Sequence, residues 1–211
     1  MRKSRYKKNS LPRGNGNPLL IILSGTSGVG KDAVLSRLKE SDLPLTYIIT
    51  ATTRSKRPRE KDNVDYHFVS KDRFQEMIEN KELLEWATVY DNWYGVPRQP
   101  VKQALEQGHD VVVKVDTQGA LTIKKIVPQA IAIFLTSQSI EELARRLNQR
   151  GTESPGDLAL RLKVAEEEVK QISSFDYIVV NRQDEIDSAV AEVKAIITAE
   201  KCRVSPRQVT L

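Results

Sequence analysis

The chain contains 211 residues, of which 39% are hydrophobic and 29% are charged, and this composition suits one domain with a sizeable buried core. Its single cysteine, Cys202, excludes an internal disulfide framework and leads us to expect a reducing, cytoplasmic environment. The longest apolar runs, such as residues 130–135, are far shorter than the roughly 20 residues that a membrane-spanning helix needs, and we expect no signal peptide.

The net charge of +5 is concentrated at the start of the chain. Residues 1–17 contain six of the 33 basic residues and none of the 28 acidic ones, so the remainder carries a net charge of −1. We expect this segment to be a disordered basic tail, because it is highly charged and ends in glycine and asparagine. Such a tail can contact nucleic acid or a membrane, but we favour a solvated leader or a misassigned start codon. We expect no specific nucleic-acid or membrane partner.

The first predicted element is a strand–turn–helix unit at residues 18–38. An apolar run at residues 19–23 is typical of a buried strand, and apolar residues return at helical spacing after the turn. The turn fits the pattern Gly-x-x-x-x-Gly-Lys from Gly25 to Lys31, in the setting that a phosphate-binding loop (P-loop) requires. The alternative, a tight turn followed by a surface lysine, would leave this combination of strand, glycines, lysine and helix unexplained.

A glycine-rich turn of this kind lets the backbone approach an anion closely. Successive N–H groups at the positive end of the helix dipole then converge on the anion, and the Lys31 ammonium adds a charge for the β- and γ-phosphates. We therefore expect the turn to bind a nucleoside triphosphate. The candidate residues are Gly25, Thr26, Ser27, Gly28, Val29, Gly30, Lys31 and Asp32.

Farther along the chain, predicted strands and helices alternate, with one interruption at residues 50–97. A basic stretch, an aromatic strand, a short helix and a further strand break the alternation there and predict a small inserted subdomain. The remaining order predicts an α/β fold, a doubly wound five-stranded parallel sheet with ligands at the carboxyl ends of its strands. The predicted strands are 19–23, 45–49, 65–69, 83–90, 110–115, 130–135 and 177–180, and the predicted later helices are 72–80, 98–107, 119–126, 140–149, 157–172 and 185–200.

Six sequence blocks resemble the guanylate kinase family, whose members are nucleoside monophosphate kinases with a P-loop fold. The blocks are TATTRSKR at 50–57, DYHF at 65–68, LEWA at 84–87, NWYG at 92–95, VDTQG at 115–119 and RLNQRGT at 146–152. The resemblance covers residues 18–201 and implies transfer of the γ-phosphoryl group of ATP to GMP, and also to dGMP, with Mg²⁺. It implies that residues 50–97 form a GMP-binding insertion, that 146–161 form a helical lid, and that 202–211 are a C-terminal tail.

The insertion contains residues suited to hold a nucleoside monophosphate. Arg54 and Arg57 can grip its phosphate, because guanidinium groups match phosphate oxygens in a bidentate way, and the Tyr66 phenol would add a donor. Taken alone, such a basic run is usually a solvated surface.

The Glu85 carboxylate can accept the adjacent N1–H and N2–H₂ donors of guanine, whereas adenine would leave it unsatisfied at a cost of ~1–3 kcal/mol or more. Taken alone, an acid in an amphipathic strand usually faces solvent.

The resemblance assigns several further residues. It places Thr50 at the guanine edge, Tyr94 near the nucleotide phosphate, Asp116 near the guanine or the metal, and Asn181 near adenine. Arg146 and Arg150 are four positions apart on one helix face. Together with Arg161 from the next helix, they fit a mobile lid that closes over the triphosphate and excludes water. The candidate catalytic residues are therefore Lys31, Arg146, Arg150 and Arg161.

Asp32 departs from the usual motif, because a P-loop lysine is normally followed by Ser or Thr, whose hydroxyl binds Mg²⁺. An uncompensated carboxylate ~4 Å from a phosphate charge would cost on the order of 4 kcal/mol at an effective dielectric of 20. Asp32 could itself bind Mg²⁺, or it could pair with Lys114, which stands where the family commonly has an acid. We favour the ion pair. A first-turn acid also suits the helix dipole.

Two other functions remain open from the sequence. Some guanylate-kinase-like domains are phosphopeptide-binding modules that have lost a working P-loop, and here only Asp32 favours that interpretation. A kinase for another phosphorylated acceptor, such as a ribose bisphosphate, would not need Glu85 and Thr50. The sequence leaves the oligomeric state open.

Overall fold

A computed structural model describes residues 16–58, 60–89, 91–149 and 155–211. The strands in this part of the chain are β1 (Leu20–Gly25), β2 (Leu45–Tyr47), β3 (Ala51–Thr52), β4 (His67–Phe68), β5 (Leu83–Val89), β6 (Asn92–Pro97), β7 (Asp110–Lys114), β8 (Ile131–Thr136) and β9 (Tyr177–Val180). The helices are α1 (Lys31–Lys39), α2 (Lys71–Glu79), α3 (Arg98–Glu106), α4 (Thr117–Ile126), α5 (Ile140–Gln149), α6 (Pro155–Val169) and α7 (Ile186–Lys201).

The centre of the fold is a five-stranded parallel sheet with the order β2-β7-β1-β8-β9. Its central strands are continuous apolar runs because both faces are covered. On one face, Ile21 and Leu23 pack with residues of α1 and α7. On the other, Leu20 and Ile22 pack with residues of α3 and α4. The predicted α/β fold with a five-stranded parallel sheet is confirmed, and β1, β7 and β8 end at one edge of it.

A second sheet, with the order β4-β3-β6-β5, is inserted between β2 and α3. The aromatic strand predicted at 65–69 is only two residues long, and the sequence analysis did not predict β3 or β6. β3 is too short to have a recognisable pattern, and β6 contains Gly95 and Pro97, which are typical of turns. The sheet packs over α2 through a small cluster that includes Phe74 and Leu83.

The segments predicted to lie outside the core differ in how much of them the structure describes. Residues 1–15 of the predicted basic tail, and residues 150–154 of the predicted lid, lie outside the described residues. The segment 202–211 lies against the domain, since Val209 and Leu211 pack on the core and the Arg207 guanidinium donates to the buried Glu200 carboxylate at 2.8 Å. Among the helices of the described ranges, none is long and apolar enough to cross a membrane.

Candidate active site

The turn between β1 and α1 has the backbone geometry of a phosphate-binding loop. Gly25 has a φ of 144°, and a Cβ there would lie 2.0 Å from the Leu135 carbonyl oxygen on the neighbouring strand. Gly30 caps α1 with a φ of 95°, and a Cβ there would lie 2.9 Å from the Asn181 amide nitrogen. Both positions therefore require glycine, one for its close approach to β8 and both for their positive φ.

Lys31 lies over this turn. Its ammonium donates hydrogen bonds to the carbonyl oxygens of Gly25, at 2.6 Å, and Thr26, at 3.2 Å. Burial lowers the pKa of Lys31, and the carboxylates of Glu168, Asp32 and Asp116 oppose that shift. The lysine is thus held on the loop by carbonyl groups that a bound phosphate could replace.

A cavity of about 290 Å³ opens beside the turn, at the carboxyl ends of the central strands. It brings together ten residues predicted for the two nucleotide sites and catalysis, in addition to Lys114. These ten are Ser27, Lys31, Thr50, Arg54, Arg57, Tyr66, Glu85, Tyr94, Asp116 and Arg161. A second cavity of about 690 Å³ lies toward α6. The two cavities share Ser27, Lys31, Val89 and Asp116 as a wall, so one cleft runs from the inserted sheet to the P-loop and α6.

Arg54 is fixed at the end of the cleft formed by the inserted sheet. Its two terminal nitrogens donate to the Glu60 carboxylate at 2.8 and 3.1 Å, and its Nε donates to the Tyr94 hydroxyl at 3.2 Å. Burial alone would raise the pKa of Glu60, but the hydrogen bonds from Arg54 hold this pKa below its usual value. Arg57 is more exposed, and its backbone N–H donates to Glu60 at 2.8 Å. In the described part of the chain, Arg54 lines the cavity and Glu60 does not. Glu60 therefore fixes the Arg54 guanidinium from the side that faces away from the cavity.

Tyr66, Lys114 and Asp32 form a connected group between the inserted sheet and α1. The Lys114 ammonium forms an ion pair with the Asp32 carboxylate and donates to the Tyr66 hydroxyl at 2.9 Å. Burial lowers the pKa of Lys114, but the charge of Asp32 and the contacts with Tyr66 together outweigh burial and raise this pKa, so the ammonium is charged. Burial raises the pKa of Tyr66. The neutral phenol therefore keeps its own proton to donate. The ion pair favoured from the sequence is present in the structure.

Glu85 projects into the cavity from β5, just after an irregularity in the β5–β6 pairing between Leu83 and Glu85. The residue is 5% exposed, and its Oε2 atom has no hydrogen-bond partner among the described residues. A Cβ at Gly119 would lie 2.9 Å from the carboxylate atoms, so that glycine leaves room for them. Burial, followed by the charge of Asp116, raises the pKa of Glu85 to about 8. The carboxyl group therefore lacks donors that a ligand could provide.

Asp116 and Thr50 complete this end of the cavity. The Asp116 carboxylate accepts a hydrogen bond from the Gly119 N–H at 2.9 Å and caps α4, which fixes its direction. Burial raises the pKa of Asp116. Thr50 is 5% exposed and lines the same cavity as Glu85. The carboxyl groups of Glu85 and Asp116 and the hydroxyl of Thr50 therefore surround this end of the cavity.

The predicted lid residues have different positions. Arg161 lines the first cavity, and its guanidinium lies 3.5 Å from the Ser27 hydroxyl. Arg146 donates to the carbonyl oxygens of Val29, at 3.1 Å, and Asn181, at 2.7 Å, and pairs with Glu142. Within the described ranges, neither Arg146 nor Asn181 lines either of these two cavities. Both instead support the P-loop from its other side. Arg150 lies outside the described residues.

Glu168 is a residue at this site that the sequence analysis did not identify. Its carboxylate accepts hydrogen bonds from the Ser27 backbone N–H at 3.0 Å and from the Thr117 hydroxyl at 3.2 Å. The Glu168 carboxylate therefore accepts a hydrogen bond from a P-loop N–H group that could otherwise donate to a bound phosphate. The available sequence signal was its spacing: Glu168 and Arg161 are two helical turns apart, on the face of α6 that meets the loop.

Comparisons with known proteins place the chain among close relatives. The sequence model of the guanylate kinase family matches residues 17–200. "Guanylate kinase 2, chloroplastic/mitochondrial" from Oryza sativa subsp. japonica is 46% identical over 195 residues, covering 92% of this chain and 68% of the rice protein. The guanylate kinase of Caldanaerobacter subterraneus subsp. tengcongensis is 46% identical over 88% of this chain and 89% of its own length. The crystal structure of guanylate kinase from Anaplasma phagocytophilum has a TM-score of 0.74 at 28% identity, covering 90% of this chain and 88% of that one.

Proposed function

The chain belongs to the guanylate kinase family, and from that membership we propose that it transfers the γ-phosphoryl group of ATP to GMP, giving ADP and GDP. We propose dGMP as a second acceptor. The single observation that carries the choice of acceptor is the buried Glu85 carboxyl group, whose Oε2 atom has no hydrogen-bond partner in the described part of the chain. Guanine presents two neighbouring N–H donors, which one carboxylate can accept together, whereas adenine presents an acceptor at that place.

The other end of the acceptor would bind through the residues that bound the same cavity. Arg54, Arg57 and Tyr66 line this cavity and would donate to the oxygens of a phosphate, and Glu60 fixes the direction of the Arg54 guanidinium. Charge-assisted hydrogen bonds of this kind are shorter and about twice as strong as neutral ones. The distance between the guanine end and the phosphate end would thus select a nucleoside monophosphate.

Phosphoryl transfer requires alignment and positive charge more than covalent chemistry from the protein. An oxygen of the GMP phosphate attacks the γ-phosphorus of ATP, and the bond to the β–γ bridging oxygen breaks, leaving its electron pair on ADP. Lys31 and the P-loop N–H groups would hold the donor phosphates. Arg161 would bring a further cation from α6, and Glu168 would give up the Ser27 N–H when the nucleotide binds.

Mg²⁺ fits this arrangement as a partner of the nucleotide. No group of three acidic, histidine or cysteine side chains in the described ranges could hold a metal ion. Mg²⁺ would therefore be bound jointly by phosphate oxygens, water and one or two carboxylates. Asp116 lines the first cavity beside Lys31 and would provide such a carboxylate, whereas Asp32 is paired with Lys114 and does not line that cavity within the described ranges. When bound, the ion would neutralise charge on the β- and γ-phosphates. A cytoplasmic location stays a prediction.

A coupled assay of ADP formation tests the proposal. The purified chain is given MgATP and, in separate reactions, GMP, dGMP, AMP, UMP or CMP. We expect turnover with GMP and dGMP and at least a hundredfold lower kcat/KM with the other three, because their bases cannot donate two neighbouring hydrogen bonds to the Glu85 carboxylate. A phosphopeptide-binding module would give no turnover with any acceptor. A kinase for a different phosphorylated acceptor would show no preference for guanine.

A further inference from the structure

Lys114 lies where the donor and acceptor parts of the cleft meet. It is the last residue of β7, paired in parallel register with Leu23 of β1, so the sheet delivers it to the edge where the P-loop begins. Its side chain is 12% exposed. The ammonium contacts Asp32 in the first turn of α1 and the Tyr66 hydroxyl of the inserted sheet, and it also lies 4.4 Å from the centre of the Tyr66 ring.

The two partners of Lys114 differ in their relation to the cavity. Lys114 and Tyr66 both line it, whereas Asp32, with a side chain 74% exposed, does not line it within the described ranges. A ligand in the cavity would therefore meet the ammonium and not the carboxylate behind it. An ammonium can donate three hydrogen bonds, and two are accounted for by Asp32 and Tyr66. Within the described ranges the third donor has no partner, so it can donate to a ligand.

We propose that Lys114 contacts the phosphoryl group under transfer, as a fixed cation between the P-loop lysine and the acceptor phosphate. This inference rests on the proposed kinase function. Lys114 keeps its proton throughout: the acceptor oxygen forms the new bond to phosphorus, the bridging oxygen leaves with the electron pair, and the ammonium balances the negative charge on the equatorial oxygens. Asp32 and Tyr66 position the ammonium.

A purely structural role makes a different prediction. If Lys114 only neutralises Asp32, removing both charges together should restore activity. If Lys114 contacts the transferred group, removing both charges should leave the enzyme slow, because the phosphate contact is still missing. The pair of variants Lys114→Met and Asp32→Asn/Lys114→Met separates the two roles, and the double variant leaves no unpaired carboxylate to disturb folding.

The experiment measures kcat and KM for GMP at saturating MgATP and the dissociation constant of GMP by calorimetry. We expect kcat to fall about 100-fold in Lys114→Met, the size of effect seen when one donor to a transition-state anion is removed. We expect the double variant to stay at least tenfold below the wild type, and Lys114→Arg to recover at least tenfold over Lys114→Met. The GMP dissociation constant should change less than fivefold in all three.

Lys124 provides the matched control. It forms a half-buried ion pair with Asp176 at 2.6 Å on the opposite edge of the sheet, so Lys124→Met should leave kcat within twofold of the wild type. Recovery of the double variant to within threefold of the wild type would overturn the inference, as would a loss confined to GMP affinity. These outcomes leave the proposed function intact, because the wild type turns over GMP in the same experiment. A wild type inactive with GMP would instead remove the function and, with it, the inference.

Discussion

Replacing Glu85 with glutamine should stabilise the free protein and at the same time weaken GMP binding. The carboxyl group is buried, and one of its oxygens has no hydrogen-bond partner among the residues that the structure describes, so its ionised form is poorly solvated in the folded protein. Glutamine has nearly the same size and no charge, so it removes this cost. The glutamine side chain has only one oxygen acceptor, and its NH₂ group is a donor. It therefore cannot accept both neighbouring N–H groups of guanine, as the two carboxylate oxygens can.

The size of the effect follows from the pKa. Burial, with the charge of Asp116, raises the pKa of Glu85 from 4.5 in the unfolded chain to about 8 in the folded protein. Between these values the folded protein holds a proton that the unfolded chain has released, so stability falls as pH rises. The cost is absent below pH 4.5 and complete above about pH 8. At about 1.4 kcal/mol per pKa unit, it reaches about 3 kcal/mol at pH 7 and about 5 kcal/mol at most.

Urea unfolding at pH 5, 7 and 8.5 measures this difference between Glu85→Gln and the wild type. We expect the variant to be more stable than the wild type by less than about 1 kcal/mol at pH 5, by about 3 kcal/mol at pH 7 and by about 5 kcal/mol at pH 8.5, on the same conversion. Glu106→Gln, on the exposed face of α3, is the control and should differ from the wild type by less than about 0.5 kcal/mol at every pH.

A stability difference that does not change with pH would refute this reasoning, because it would show that Glu85 is not held in its protonated form by burial. Destabilisation of Glu85→Gln at pH 8.5 would contradict it directly. The functional half is checked separately, by the rise in KM for GMP. Retention of the wild-type KM would show that Glu85 does not bind the guanine edge.

Two further substitutions test ion pairs at opposite ends of the molecule. Glu60→Gln should raise KM for GMP about tenfold, equivalent to ~1.4 kcal/mol, with a smaller change in kcat. The reason is that the Arg54 guanidinium loses its bidentate support from Glu60. Steady-state kinetics measure this effect, and Glu76→Gln, which breaks only an exposed ion pair with Arg73, is the control. Equal losses in both variants would contradict it. Glu200→Gln should lower stability at pH 7 by about 3 kcal/mol, because Arg207 lowers the pKa of Glu200 from 4.5 to about 2. That stabilisation is present above pH 4.5 and lost as pH falls toward 2. The difference in unfolding free energy between the wild type and Glu200→Gln, measured by urea unfolding, should therefore be smaller at pH 3 than at pH 7. An equal difference at the two pH values would contradict this prediction.

The features that the sequence could predict are those with a local or topological cause. The P-loop was predictable because its glycines, lysine, strand and helix are contiguous. The pairing of Asp32 with Lys114, although they are 82 positions apart, could be proposed because neighbouring parallel strands deliver their last residues to one edge. The five-stranded sheet followed from the alternation of apolar runs and helical spacing.

The features that the sequence could not predict depend on tertiary contacts. Glu60 supports Arg54 only because an irregular loop folds back on itself, and nothing in the spacing of the two residues indicates this. Glu168 reaches the Ser27 N–H because α6 packs over the P-loop; its spacing from Arg161 places both residues on one helix face but does not show that this face meets the loop. The position of Arg146 behind the loop, on the Val29 carbonyl, likewise depends on how α5 packs.

The most direct test of the account is the number of protons released when GMP binds at pH 7, measured by calorimetry in buffers of different ionisation enthalpy. With a pKa of about 8, Glu85 in the free protein is mostly protonated at this pH and must ionise to accept both guanine donors. The account predicts that the wild type releases about 0.9 proton more than Glu85→Gln does. Equal proton release by the two proteins would contradict the claim that this carboxylate reads the guanine edge.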